Sequence, residues 1–107
     1  MNRDAPMWAL VMFDLPVDTK RHRTDATRYR TYLLNLGFFR VQWSVYARYV
    51  INSKGWSALC ERIDQGVPEG GHVRLIAVTD TQWVSAVVIE GEKRAKPEDE
   101  PTQLLIF

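Results

Sequence analysis

Asp14 is the residue of this sequence best placed to do chemistry. It closes the apolar run Met7 to Asp14 and stands directly before Leu15-Pro16, which puts a carboxylate in solvent beside a rigid turn. Alone, such an aspartate caps its own turn as readily as it holds a cation. A basic cluster follows, with Lys20, Arg21, Arg23, Arg28 and Arg30 opposed only by Asp25. Cations in that pattern at a helix start suit phosphate contacts, which position a duplex without reading its sequence, and they equally describe a solvated helix face. The other reactive side chains offer less. Cys60 has no second thiol or clustered histidines, so it makes neither an intrachain disulfide nor a zinc site, and it reads as a small buried apolar residue on a helix. His22 and His72 read as solvated or core residues and stay outside the site, leaving no convincing general base.

The elements that must carry these residues follow from periodicity. Met7 to Asp14 is a continuous apolar stretch ended by a turn signal, a buried strand. From an Asp18 or Thr19 cap to Gly37, the residues Ala26, Tyr29, Leu33 and Leu36 recur at helical spacing. Phe38 to Ile51 is rich in β-branched and aromatic residues and reads as a hairpin turning near Gln42 to Ser44. A second helix, with Trp56, Leu59, Cys60 and Ile63 on its apolar side, runs from a Ser53 cap to Gly66. After the loop Val67 to Gly71, Val73 to Thr79 is a strand; Val84 to Ile89 fits a strand or a short helix equally well. The order strand, helix, strand, strand, helix, strand is that of the α+β ferredoxin-like βαββαβ fold, an antiparallel sheet with both helices on one face. This domain spans residues 1–91. Residues 92–101 form a charged, proline-punctuated linker, and 102–107 an apolar C-terminal strand that packs on its own sheet or on a partner's edge.

Composition sets the outer limits. At 107 residues, 46% hydrophobic and 25% charged, the chain supports one core and is too rich in apolar residues to be disordered. Its apolar runs fall short of the ~18 residues that span a bilayer, and no small-residue cleavage site follows the first of them. A cytoplasmic protein is the expectation. The net charge of +1 conceals a division: residues 19–89 carry ten Lys and Arg against five Asp and Glu, while both ends are acidic. A basic body of this kind permits contact with a polyanion.

The residues Met12-Phe13-Asp14-Leu15-Pro16, Thr19-Lys20, Arg23, Arg30 and Leu33 are followed by Gly37-Phe38, Gln42, Ser44-Val45-Tyr46 and Arg48. Then come Pro68, Gly70, Val73-Arg74, Val78-Thr79, Gln82 and the apolar tail. In that order and spacing the chain resembles, over nearly its whole length, the small CRISPR-associated Cas2 family, which accompanies the integrase in spacer acquisition. The Asp-Leu-Pro form, the linker and the Leu-Leu-Ile-Phe tail resemble the branch found in Cas9-type (type II) systems. Departures are Ala26, where the family often has an aromatic, and the extra indoles of Trp43, Trp56 and Trp83; Tyr29, Tyr32 and the tryptophans all read first as core.

The resemblance implies a homodimer in which the two first strands lie near the twofold axis and the two Asp14 side chains face each other, with Ser44 near. Asp14 is then the implied catalytic residue and metal ligand, and Mg²⁺, which needs only one or two carboxylates with waters, is the implied cofactor. The implied partners are the CRISPR integrase and duplex DNA, the latter held by Lys20, Arg21, Arg23, Arg28 and Arg30. The implied activities are DNA bridging during adaptation and a metal-dependent endonuclease (phosphodiesterase) activity. A toxin-like ribonuclease on the same fold is the alternative.

Overall fold

In strand β1, Met7–Asp14, every second side chain is buried: Met7, Ala9, Val11 and Phe13 face inward, and Trp8, Leu10 and Met12 face the other way. That alternation gives the central strand two different faces. A computed structural model describes residues 5–91 of the chain, and the expected linker 92–101 and C-terminal strand 102–107 lie outside the described residues. The elements after β1 are α1 (Lys20–Asn35), β2 (Phe39–Gln42), β3 (Val45–Val50), α2 (Ser53–Gly66), β4 (His72–Thr79) and α3 (Asp80–Val84). The sheet order is β2-β3-β1-β4 and every pairing is antiparallel. This is the expected α+β, ferredoxin-like arrangement.

Helix α1 starts where Thr19 Oγ1 accepts the His22 amide at 3.0 Å. It stops because Gly37 adopts φ +93°, a conformation that only glycine enters freely. There the Phe38 N–H reaches back to the Leu33 carbonyl and the Gly37 N–H to that of Leu34, satisfying the last turn. Ala26, Tyr29 and Leu33 are the buried stripe of α1, and Leu59 and Ile63 that of α2. These side chains cover Val11, Phe13, Tyr46 and Val50 to form one core. Gly66 lets the two helices close, because a Cβ there would collide with the Tyr32 ring, whose hydroxyl donates to the Arg62 carbonyl.

Three expectations change. The cap of α2 is Asn52, whose Oδ1 accepts the Gly55 amide at 2.9 Å, so Ser53 becomes the first helical residue. The stretch Val84 to Ile89 is neither a strand nor a helix of its own. The short helix precedes it and is fixed by a capping box in which Thr79 Oγ1 accepts from the Gln82 amide and Gln82 Oε1 from the Thr79 amide. Finally, Trp8 and Trp83 are not core residues: the two rings stack at 4.9 Å and 20°, and the Trp8 indole N–H donates to Asp80. This stack lays α3 on the sheet face opposite the other helices. On the same face Phe39, Tyr49 and Ile76 are exposed and Leu10, Met12 and Val45 half-buried; Val84, Val87, Val88 and Ile89 are exposed too. Among the described residues no helix is long and apolar enough to cross a membrane.

Candidate functional site

Asp14 is the last residue of β1 and is exposed. It ends the strand that lies between β3 and β4 and pairs there with β4. The Phe13 N–H donates to the Ser44 carbonyl at 3.2 Å, which clamps the β2–β3 turn against the end of β1. Ser44 and Asp14 consequently line the same two clefts. One, about 470 Å³, opens on the sheet face away from α1 and α2 and also carries Met12, His72 and Arg74. The other, about 390 Å³, lies toward α1 and carries Arg23, Arg30 and Trp43.

His72 is the residue that sequence reasoning left out. In the β1–β4 ladder it is the direct partner of Asp14, and both are exposed. Directly opposed residues of an antiparallel pair share one face, so the imidazole stands beside the carboxylate. The signal was present only as topology, in that the end of β1 meets the start of β4. His22 lies elsewhere, with its Nδ1 hydrogen-bonded to Asp18 Oδ1 at 2.5 Å. That bond holds the Asp18 carboxyl below the usual carboxylate range. Cys60 is half-buried, and burial pushes its thiol up, away from thiolate chemistry.

The basic cluster divides into two rows around α1. Lys20, Arg23, Thr24, Thr27 and Arg28 line a shallow groove, and one row continues through Arg23 and Arg30 into the Asp14 cleft. Arg21 and Arg28 also line a separate cleft of about 710 Å³ between α1 and the α2–β4 loop, together with Asp25 and Glu69. There Arg28 lies 3.9 Å from Asp25, a loose pair at the surface. Lys20, Arg21, Arg23 and Arg28 are all exposed, and Arg30 is half-buried.

Among the described residues no three His, Cys, Asp or Glu side chains form a metal cluster. The chain therefore offers a cation Asp14, with Ser44 and His72 beside it. This set fits Mg²⁺, which keeps most of its waters and asks for one or two carboxylates, and does not fit a closed all-protein cage.

Comparison with known proteins agrees with this architecture. The family described as CRISPR associated protein Cas2 matches residues 7–86. A protein of Paracidovorax avenae named CRISPR-associated endoribonuclease Cas2 is 40% identical over 101 residues, covering 94% of each chain. One of the same name from Parvibaculum lavamentivorans is 38% identical over 101 residues, covering 94% of this chain and all of its own. A solved structure titled as a crystal structure of Cas2 superposes with a TM-score of 0.58 at 18% identity, covering 86% of this chain and 94% of its own, which supports the fold. With Asp14 at the tip of the central strand, the sheet order described and a family match from β1 through α3, the chain belongs to the CRISPR-associated Cas2 family.

Proposed function

We propose that this protein acts as a cytoplasmic homodimer of the CRISPR adaptation machinery. In this reading it lays duplex DNA along the basic side of α1, bridges integrase subunits, and carries a metal-dependent phosphodiesterase site at paired Asp14 side chains. The observation that carries it is the position of Asp14, an exposed residue at the end of β1 that lines a cleft together with Arg23 and Arg30. The name endoribonuclease carried by the relatives brings the same chemistry, phosphodiester hydrolysis, to this site.

Dimerisation is supported by the uncovered sheet face. Trp8, Leu10 and Met12 of β1 line up across the ladder with Tyr49, Ala47 and Val45 of β3 and with Val78, Ile76 and Arg74 of β4. Burying each large apolar side chain of such a face contributes roughly 1.5 to 3 kcal/mol before ordering costs. A twofold copy packed there brings a second Asp14 to the first without further sequence. Mg²⁺ bound between them would supply positive charge at a scissile phosphate. The chain's own part is to hold the carboxylates on stiff strands, to orient the phosphate through Arg23 and Arg30, and to keep Ser44 and His72 within reach of the reacting water.

The decisive experiment is co-purification with the integrase encoded beside it and a DNA duplex, comparing wild type with Asp14→Ala. The variant is expected to lose divalent-dependent cleavage and to keep duplex binding and spacer integration. Equal cleavage rates would overturn the metal site. Failure of the wild type to associate with the integrase would favour the toxin-like ribonuclease.

A further inference from the structure

The cleft between β1 and α1 brings unlike residues together in a small space: Asp14, Ser44, Arg23, Arg30 and Trp43 all line it. At about 390 Å³ it lies near the lower end of the roughly 300 to 1,000 Å³ typical of ligand sites. It has room for one base with its phosphate and none for a duplex.

Trp43 sits in the two-residue β2–β3 turn and is 45% exposed. Arg30 Cζ lies 5.4 Å from the centre of its ring and Arg40 Cζ 5.1 Å. Arg30 also leans on Phe13, at 6.0 Å, while its Nε is buried with no hydrogen-bond partner among the described residues. Among the described residues Arg30 makes no ion pair. A half-buried guanidinium held by rings keeps its charge unneutralised, an arrangement that an arriving anion relieves. Arg23 donates from Nη1 to the Val17 carbonyl at 3.2 Å and likewise has no carboxylate partner among the described residues. Two guanidiniums flanking one cleft match the oxygens of a phosphate. An indole beside guanidinium planes matches the flat face of a nucleobase.

We propose that this cleft binds a single unpaired nucleotide of an RNA or DNA strand, its base stacked on Trp43 and its phosphate held by Arg23 and Arg30. The proposal rests on the nucleic-acid reading above and adds to it a subsite for one base at Trp43. Inside a duplex both faces of a base are covered by its neighbours, so only an unstacked base reaches the indole. An entering base takes the place of one guanidinium over the ring, and the displaced guanidinium turns to the phosphate. The backbone of that nucleotide then passes beside Asp14.

The test is binding of a pentanucleotide carrying 2-aminopurine, in RNA and DNA forms, and of a blunt duplex, to the full chain in EDTA. Wild type is expected to quench the fluorescent base. Trp43→Ala should weaken pentanucleotide binding about tenfold and abolish the quench, Trp43→Phe should retain most of both, and duplex affinity should stay unchanged. A loss confined to one sugar identifies that strand as the ligand. Arg23→Gln, which leaves the turn intact, should weaken pentanucleotide binding independently. Undiminished affinity in Trp43→Ala, no binding by wild type, or an equal loss for the duplex would overturn the proposal. Because EDTA removes cleavage, the result does not depend on whether Asp14 carries the nuclease activity.

Discussion

Asp14 and His72 are direct partners in the β1–β4 ladder, the last residue of one strand facing the first of the other. A cation at the carboxylate therefore meets an imidazole from a neighbouring strand. Imidazole suits Mn²⁺ better than Mg²⁺. His72→Ala is expected to lower the preference for Mn²⁺ over Mg²⁺ about tenfold while leaving Mg²⁺ dependence in place. Competitive metal titration of wild type and variant reads this, and an unchanged preference would remove His72 from the metal's surroundings.

The two rows on α1 should differ in their hold on a duplex. Lys20 and Arg23 line a groove without acidic residues, whereas Arg21 and Arg28 line a cleft shared with Asp25 and Glu69, Arg28 also reaching the first groove. Replacing Lys20 and Arg23 by Gln should reduce the log–log salt slope of duplex binding by roughly 0.9 for each phosphate that is no longer neutralised. The same change at Arg21 and Arg28 should reduce it less. Equal slopes for the two double variants would dissolve the distinction.

Tyr29 is nearly inaccessible, and its hydroxyl has no hydrogen-bond partner among the described residues. Burial, with a smaller effect from Tyr32, pushes its phenol up to about 12. The folded value lies above the unfolded one of about 10, so this group's contribution to stability is complete below pH 10 and is lost as pH rises toward 12. Tyr29→Phe should remove both the alkaline loss and the unsatisfied hydroxyl. The expected gain at neutral pH is about 1 kcal/mol, a rise of a few degrees in Tm. A lower Tm across the whole pH range would show that the hydroxyl has a role in the fold.

Val87 is 81% exposed and Ile89 87%, on a segment that leaves α3 with no regular structure. Apolar residues so displayed need cover from another surface. Val87→Asp with Ile89→Asp should weaken self-association at least tenfold in sedimentation equilibrium and leave the circular dichroism of the protomer unchanged. Undiminished dimerisation would place the interface elsewhere.

What the sequence disclosed was whatever local periodicity controls. The alternation of Met7 to Asp14, the 3.6-residue stripe of Ala26, Tyr29 and Leu33, and the turn around Trp43-Ser44 all reappear in the structure. Hidden were features decided by pairs distant in the chain. Trp8 and Trp83 each look like core residues until the sheet face between them is known to be open. His72 looks solitary until β4 is laid against β1. Helix α3 escaped because its five residues are too few to show a period, and the Thr79–Gln82 capping box that defines it overlaps the end of a strand. Asp14 was legible through its turn, and the cleft it shares with Trp43 was not, because the Phe13–Ser44 bond that joins them crosses two strands.

The sheet order also governs when the molecule can form. β1 is made first, yet one of its two neighbours is β3 and the other is β4, whose Thr79 pairs with Met7. During synthesis the central strand waits with one edge bare until nearly the whole domain has left the ribosome. Pairings this distant in the chain close late and slowly. A nascent chain stalled before residue 79 presents an apolar strand with unpaired backbone groups, the kind of edge that recruits another copy of itself. Translation through β4 is therefore the step that separates folding from aggregation, and synonymous changes that slow it should lower the soluble yield of an otherwise unaltered protein.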